Sequence, residues 1–100
     1  MVKHIVMWKL YDEAEGFSKQ ENAKRIKEEL EKLKNKIEQI RHLEVGINQN
    51  PSPAAFDVAL YSEFDDWDSL EIYQKHPAHE QFKEFLAPLR SDRVVVDYEI

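Results

Sequence analysis

Four segments of this chain alternate with the two-residue period of a β-strand. A long amphipathic helix is predicted between the first two strands, because apolar residues recur at spacings of three and four from Ala23 to Ile40. Two shorter helical patterns, divided by Pro77, lie between the last two strands, since proline fits the first turn of a helix and not its interior. The strands are predicted over residues 2–10, 43–47, 56–64 and 93–100.

The order of these elements is β-α-β-β-α-β, which predicts a single α+β domain with the ferredoxin-like topology over residues 1–100. One hundred residues leave room for one hydrophobic core. Ser18 begins a capping-box motif at the start of the long helix, and Asp65 or Asp66 is expected to cap the first short helix. Residues 11–17 are predicted to form an acidic loop.

The composition excludes several classes of function. The chain has no cysteine, so it has no disulfide, no thiolate nucleophile and no cysteine-based zinc site. Its net charge is −6 and its basic residues are interleaved with acidic ones, which argues against nucleic acid and anionic membranes as partners. No apolar run approaches the roughly 18 residues of a spanning helix, and the first residues form a strand pattern rather than an export signal. We therefore expect a cytoplasmic protein.

The predicted sheet is apolar on both faces, although the helices can cover only one of them. In each strand we assign the more apolar register to the helix side, which for the last strand means Val94 and Val96. The side chains left on the opposite face need another partner, and a second copy packed sheet to sheet would bury them. The sequence therefore predicts a homodimer, with an interface formed by Ile5, Met7, Ala59, Tyr61 and Val95.

Polar groups in apolar registers mark a candidate site. His4 is the only ionisable residue on the helix side of the first strand, and Tyr73, His76 and His79 surround Pro77. If Tyr73 and His79 point beneath the helices, they meet His4 at a small apolar pocket. In the structural alternative, His4 is a hydrogen-bonded core residue, His76 caps the second short helix and His79 lies on the surface. The residues predicted to line or support the pocket are His4, His76, Val6, Trp8, Val58 and Phe82.

Three motifs are similar to those of a known family. They are Lys3-His4-Ile5-Val6, Phe64-Asp65-Asp66-Trp67 and Tyr73-x-x-His76-Pro77-x-His79. With them, essentially the whole chain resembles the Dabb family of stress-responsive dimeric α/β-barrel domains. The resemblance implies a ferredoxin-like fold and a dimer whose two sheets form a barrel.

The same resemblance implies roles for four side chains. In a plant branch of the family, the olivetolic acid cyclase type, a linear polyketide is closed by aldol condensation. The residues that match Tyr73 and His79 carry that chemistry, and those that match His4 and His76 line or support the site. A histidine near neutrality can remove a proton next to a carbonyl, and a phenol can donate a hydrogen bond to the oxygen that gains charge.

Three hypotheses about function follow. The favoured one is a non-catalytic homodimer that binds a small hydrophobic or carbonyl-containing ligand without a cofactor. The alternative is a cyclase-like enzyme that uses His79 and Tyr73. A cofactor-free or haem-degrading monooxygenase is a third hypothesis. Trp67 and His76 superficially resemble the tryptophan and histidine of haem-degrading members with the same fold, although the first strand lacks the asparagine of those members. No metal site is predicted, because a third ligand is not evident beside His76 and His79.

Overall fold

The computed structural model describes residues 1–100 and contains one four-stranded antiparallel sheet with three helices packed on one face. The strand order is β4-β5-β1-β6, which confirms the predicted ferredoxin-like topology. None of the helices combines the length and apolar character needed to cross a membrane. The elements are β1 Val2–Leu10, β2 Glu13–Ala14, β3 Phe17–Ser18, α1 Lys19–Lys36, β4 His42–Ile47, β5 Val58–Phe64, α2 Trp67–Lys75, α3 Pro77–Leu86 and β6 Arg90–Glu99.

Local interactions start the helices where the sequence indicates. At α1 the Ser18 hydroxyl accepts the Glu21 backbone N–H and the Glu21 carboxylate accepts that of Ser18, both at 3.2 Å, which completes the capping box. At α2 the carboxylate of Asp66 accepts the Ser69 N–H at 2.8 Å. Asp65 instead binds the guanidinium of Arg41, so Asp66 is the cap.

Several predicted boundaries differ from the structure. The last two strands were predicted over residues 56–64 and 93–100, whereas β5 is Val58–Phe64 and β6 is Arg90–Glu99. The α1 helix ends at Lys36, so Ile40 lies in the turn that follows, where it is buried all the same. The segment predicted as an acidic loop contains β2 and β3, which pair as a two-residue hairpin through Glu15 and Gly16. Both of these turn residues have positive φ, which glycine adopts at low cost.

The core lies between the helices and the inner face of the sheet. Alternate residues of β1 are buried from Val2 to Leu10, and β5 follows the same pattern from Val58 to Phe64. The buried apolar side chains of α1 close this layer from above, because they recur on one face of the helix. They are Ala23, Ile26, Leu30 and Leu33.

The faces assigned to the last strand were wrong. In β6, Val95 pairs with Val6 and therefore shares the helix-side face, whereas Val94 pairs with Met7 on the outer face. Val95, which we predicted for the outer interface, therefore lies on the opposite side of the sheet. The residues of β6 on the helix side are Arg93, Val95 and Asp97, and those on the outer side are Val94, Val96 and Tyr98.

The reason for this error is that β6 is exposed along its whole length. The rule that the more apolar register faces the core holds only where a core covers the strand. No helix buries the residues of β6, so burial does not select their side chains. Arg93 and Asp97 can face the helix side there because both retain contact with solvent.

The outer face of the sheet carries the other predicted interface residues. Met7 is 39% exposed, and Ile5, Ala59 and Tyr61 are partly exposed beside it. At one end of this face the Lys3 ammonium donates to Tyr61 and to the Glu63 carboxylate. The rest of the surface formed by β1, β5 and β6 is mostly apolar.

Candidate functional site

A cavity of about 520 Å³ lies between the inner face of the sheet and the helices α2 and α3. It touches His4, Tyr73 and His79 together, so the structure unites the three side chains that the sequence singled out. Its volume is in the range of small-molecule sites. The other lining residues are Val6, Trp8, Leu30, Leu60, Gln74, Phe82, Lys83, Leu86, Ala87, Arg90 and Arg93.

The proline break orients the histidines. Residue 76 ends α2 and begins α3, and its imidazole Nδ1 accepts the Ala78 N–H at 3.0 Å. His76 therefore caps α3 and does not line the cavity. His79 lies one turn into α3, where the new helix direction brings it against Tyr73 at 4.6 Å between ring centroids. His79 is thus a cavity residue and not a surface one.

The hydrogen bond of His79 defines its free nitrogen. Its Nδ1 lies 3.1 Å from the backbone carbonyl of Gln74, and because a carbonyl only accepts, Nδ1 carries the hydrogen. The other nitrogen, Nε2, then holds a lone pair. Burial, and next the positive charge of Lys83, lower the pKa of His79 below its ordinary value. The ring is therefore neutral at pH 7 and able to accept a proton.

His4 is held by an acid on the neighbouring strand. Its Nδ1 lies 2.5 Å from the carboxylate of Asp97, the residue paired with it in β6. The carboxylate fixes the hydrogen on Nδ1 and leaves Nε2 free. His4 also meets the ring of Tyr73 edge to face at 6.0 Å. It is therefore a hydrogen-bonded core residue, as the structural alternative proposed, and a lining residue of the cavity as well.

Tyr73 is the central side chain of this group. It is 1% exposed, and its ring packs on Phe64 at 5.0 Å as well as on His79. Burial raises the pKa of its phenol well above the ordinary value, against a smaller opposite effect of the Arg93 charge. The phenol therefore stays protonated and can donate a hydrogen bond to an oxygen in the cavity.

Two predicted pocket residues lie elsewhere. Val58 is fully buried but belongs to the lining of a second, shallower cavity of about 400 Å³, with Met7 and Ala59. His76 is the cap described above. The tryptophan invoked for haem chemistry, Trp67, is 45% exposed and lies within 3.4 Å of Glu99, away from the cavity.

Sequence reasoning missed the polar groups that reach the cavity from α3 and β6. Lys83, Arg90 and Arg93 all line it. Trp8 lines it as well, and the indole N–H of this residue is buried without a hydrogen-bond partner. The only available signal was the alternation of the last strand, which places Arg93 in line with Asp97, and the face assigned to that strand was wrong. No group of three or more acidic or histidine side chains forms a metal site.

Comparisons with known proteins agree with this fold. The chain matches the Stress Responsive A/B Barrel Domain (Dabb) family over residues 2–100. An uncharacterized protein of Streptomyces coelicolor is 34% identical over 104 residues, covering 99% of both chains. A dimeric protein of unknown function from Bacteroides fragilis, with a ferredoxin-like fold, is 42% identical at a TM-score of 0.87 and covers 99% of this chain and 95% of its own. The hydroxynitrile lyase of Passiflora edulis shares the fold at 22% identity and a TM-score of 0.82, over 99% of this chain and 92% of the lyase.

Proposed function

This chain belongs to the stress responsive A/B barrel (Dabb) family, and we propose that it is a homodimer that binds a small carbonyl-containing molecule. The observation that supports this proposal is the single cavity of about 520 Å³ that touches His4, Tyr73 and His79 together. A site of this size encloses most of a small ligand. Its walls are apolar where Val6 and Phe82 line it.

The donors in the cavity indicate what the ligand carries. Tyr73, whose phenol stays protonated, and Trp8, whose buried indole N–H has no partner in the chain, both belong to the lining. A buried N–H without an acceptor costs about 1–3 kcal/mol, so a bound acceptor recovers that free energy. A carbonyl oxygen on an apolar body meets both requirements of the site.

The homodimer follows from the uncovered outer face of the sheet. Met7, Val94 and Val96 are each at least 39% exposed on adjacent positions of β1 and β6. Patches of this kind are usually covered by a partner. The Bacteroides fragilis protein of the same fold is dimeric. We place the interface on Ile5, Met7, Ala59, Tyr61, Val94 and Val96, with Val95 left out because it faces the other side.

Proton transfer next to the carbonyl is a second candidate function, favoured by the geometry of His79. Its free Nε2 would take a proton from the carbon beside the carbonyl group, which leaves an imidazolium and an enolate. The phenol of Tyr73, whose ring lies against that of His79, would donate a hydrogen bond to the enolate oxygen. The hydroxynitrile lyase of Passiflora edulis is an enzyme built on this fold.

The binding proposal is tested by titration of aromatic and alkyl aldehydes and ketones, followed by calorimetry. Ala87→Phe places an aromatic ring at a residue that lines the cavity, and we expect it to lower the affinity at least tenfold. Ala54→Phe, in a loop outside this cavity, is the matched control and should bind as the unmodified chain does. Absence of binding across the series, or full affinity in Ala87→Phe, would contradict the proposal. Product analysis by NMR in the same samples separates binding from turnover.

A further inference from the structure

We propose that the ligand of this cavity is an anion: a small molecule with an oxyanion group, carboxylate or phosphate, on a short apolar body. The oxyanion is held by Arg93 and Arg90 of β6 beside the indole N–H of Trp8. This inference rests on the proposed binding function and names the chemical class of its ligand.

The permanently charged side chains that line the cavity are all of one sign. The chain has 20 acidic and 14 basic residues and a net charge of −6. The ionised side chains in the cavity lining are nevertheless Lys83, Arg90 and Arg93, and no carboxylate belongs to that lining. A one-signed group of charges at an apolar cavity attracts a ligand of the opposite sign. The cavity is thus a basic region of an acidic protein.

The two arginines at the cavity are also the two without a partner. Of the four arginines in the chain, Arg41 forms an ion pair with Asp65, and Arg25 lies over an aromatic ring and donates to a side-chain amide. The guanidinium groups of Arg90 and Arg93 take part in none of the hydrogen bonds or ion pairs that the side chains of this chain form. Their donors are therefore free to bind an oxyanion, which the planar guanidinium group does with two parallel hydrogen bonds.

The register of the sheet places Trp8 beside Arg93. The two residues are a cross-strand pair of β1 and β6, so their side chains leave the same face about 5 Å apart at the Cβ atoms. Trp8 is 3% exposed, and its Nε1 is the buried side-chain nitrogen that lacks a partner. Trp8 also lines the cavity, so an oxyanion bound next to Arg93 is the candidate acceptor for this N–H.

The nearby carboxylates do not neutralise these arginines. Asp97 lies on the same face of β6, but its oxygen is bound to the imidazole of His4. Asp92 accepts the backbone N–H of Arg93 and, as the preceding residue of the strand, its side chain leaves the opposite face. Glu80 lies 3.5 Å from the ammonium of Lys83, and for this reason we assign Lys83 no direct contact with the ligand.

The test compares ligands that differ only in charge. Octanoate, phenylpropanoate and octyl phosphate are titrated by calorimetry into the full chain, together with octanamide and phenylpropanamide. We expect each carboxylate to bind at least tenfold more tightly than its amide, since hydrogen bonds to a charged group exceed those to a neutral one by about that factor. The relative affinities of octanoate and octyl phosphate then distinguish the two oxyanions.

Two arginine variants test whether the preference for the carboxylate arises at this part of the cavity. Arg93→Gln and Arg90→Gln change exposed positions of β6, so the fold is retained, and each should weaken carboxylate binding more than amide binding, which lowers the preference for the carboxylate roughly tenfold. Lys75→Gln, which removes one positive charge from the exposed surface of α2, is the control and should keep the preference.

Three results would overturn the inference. Equal affinity for carboxylate and amide would leave a ligand cavity without an anion site. A preference that survives in both arginine variants would place the anion elsewhere. Binding of none of the five compounds, together with no binding in the carbonyl titration above, would remove the proposed binding function along with the anion.

Discussion

The neighbouring strands β1 and β6 differ in whether burial in the core restricts which residues they carry. In β1 the helix-side residues are buried one after another, and Val6 is 1% exposed. Its cross-strand neighbour in β6, Val95, is 46% exposed on the same face. The core therefore determines residue identity in β1, whereas the exposed strand β6 carries Arg93 and Asp97 on the same face, where Asp97 binds His4. The cavity is lined by buried residues of β1 and by exposed residues of β6.

The largest expected effect on stability is that of an aspartate placed on the helix-side face of β1, compared with the same substitution in β6. Val6→Asp buries an unpaired carboxylate and should destabilise the chain by more than about 3 kcal/mol, enough to unfold it. Val95→Asp puts the charge where water reaches it and should cost less than about 1 kcal/mol. Urea unfolding of both variants checks this difference. Similar losses in the two variants would mean that β6 is buried in the folded protein.

The next effect concerns the cavity beneath the helices, where the candidate base His79 lies. If the chain catalyses proton transfer, His79→Ala removes the base and should abolish turnover, while the oligomeric state stays the same. Tyr73→Phe removes one donor to the enolate and should lower the rate roughly ten- to a thousandfold. Initial rates with a substrate found in the carbonyl titration measure both. Full activity in either variant would contradict the assigned roles.

Substitutions at two adjacent residues of β6 test whether the outer face of the sheet forms the dimer interface. Val96 belongs to the proposed interface and Val95 does not. Val96→Asp should therefore split the homodimer, as should Met7→Asp, because a charge would be buried between the sheets. Val95→Asp, the same change one residue away, should leave the dimer intact. Sedimentation velocity distinguishes monomer from dimer, and dissociation caused by Val95→Asp alone would place the interface on the helix side.

The smallest effect is a shift in the titration of His79. Its pKa is lowered first by burial and then by the charge of Lys83. A lowered pKa keeps the imidazole neutral to a lower pH, so the base form and its activity are lost only as the pH falls through that depressed value. Lys83→Gln should raise the pKa of His79 toward its ordinary value. NMR titration of the imidazole signals measures this, with Lys75→Gln as the control, and an unchanged midpoint in Lys83→Gln would show that burial alone lowers it.

Much of the fold was predictable because it depends on local chemistry. The helix starts at Ser18 and Asp66 follow from capping side chains, and the break at Pro77 follows from a ring that cannot continue a helix. The alternation of β1 identified His4 as an inward residue. The group of polar residues around Pro77 indicated Tyr73 and His79, which do reach the same cavity as His4, and the family motifs implied their roles.

The rest of the site could not be predicted because it depends on which strand is covered. The more apolar register of β6 faces away from the helices, and only the pairing of β6 with β1 decides that Arg93 stands beside Trp8. The same pairing brings Asp97 to His4. The sequence contains no local signal for either contact, since each joins residues more than eighty positions apart.

The order of the elements, the family motifs and the core residues of β1, α1 and β5 could be read from the amino-acid sequence, because hydrophobic period, caps and proline act over a few neighbouring positions. Only the tertiary structure decided which face of β6 meets the cavity, which nitrogens of the histidines remain free and where the unpaired arginines lie. The physical reason is that strand register and hydrogen-bond partners are set by contacts between distant segments, after the local elements have formed.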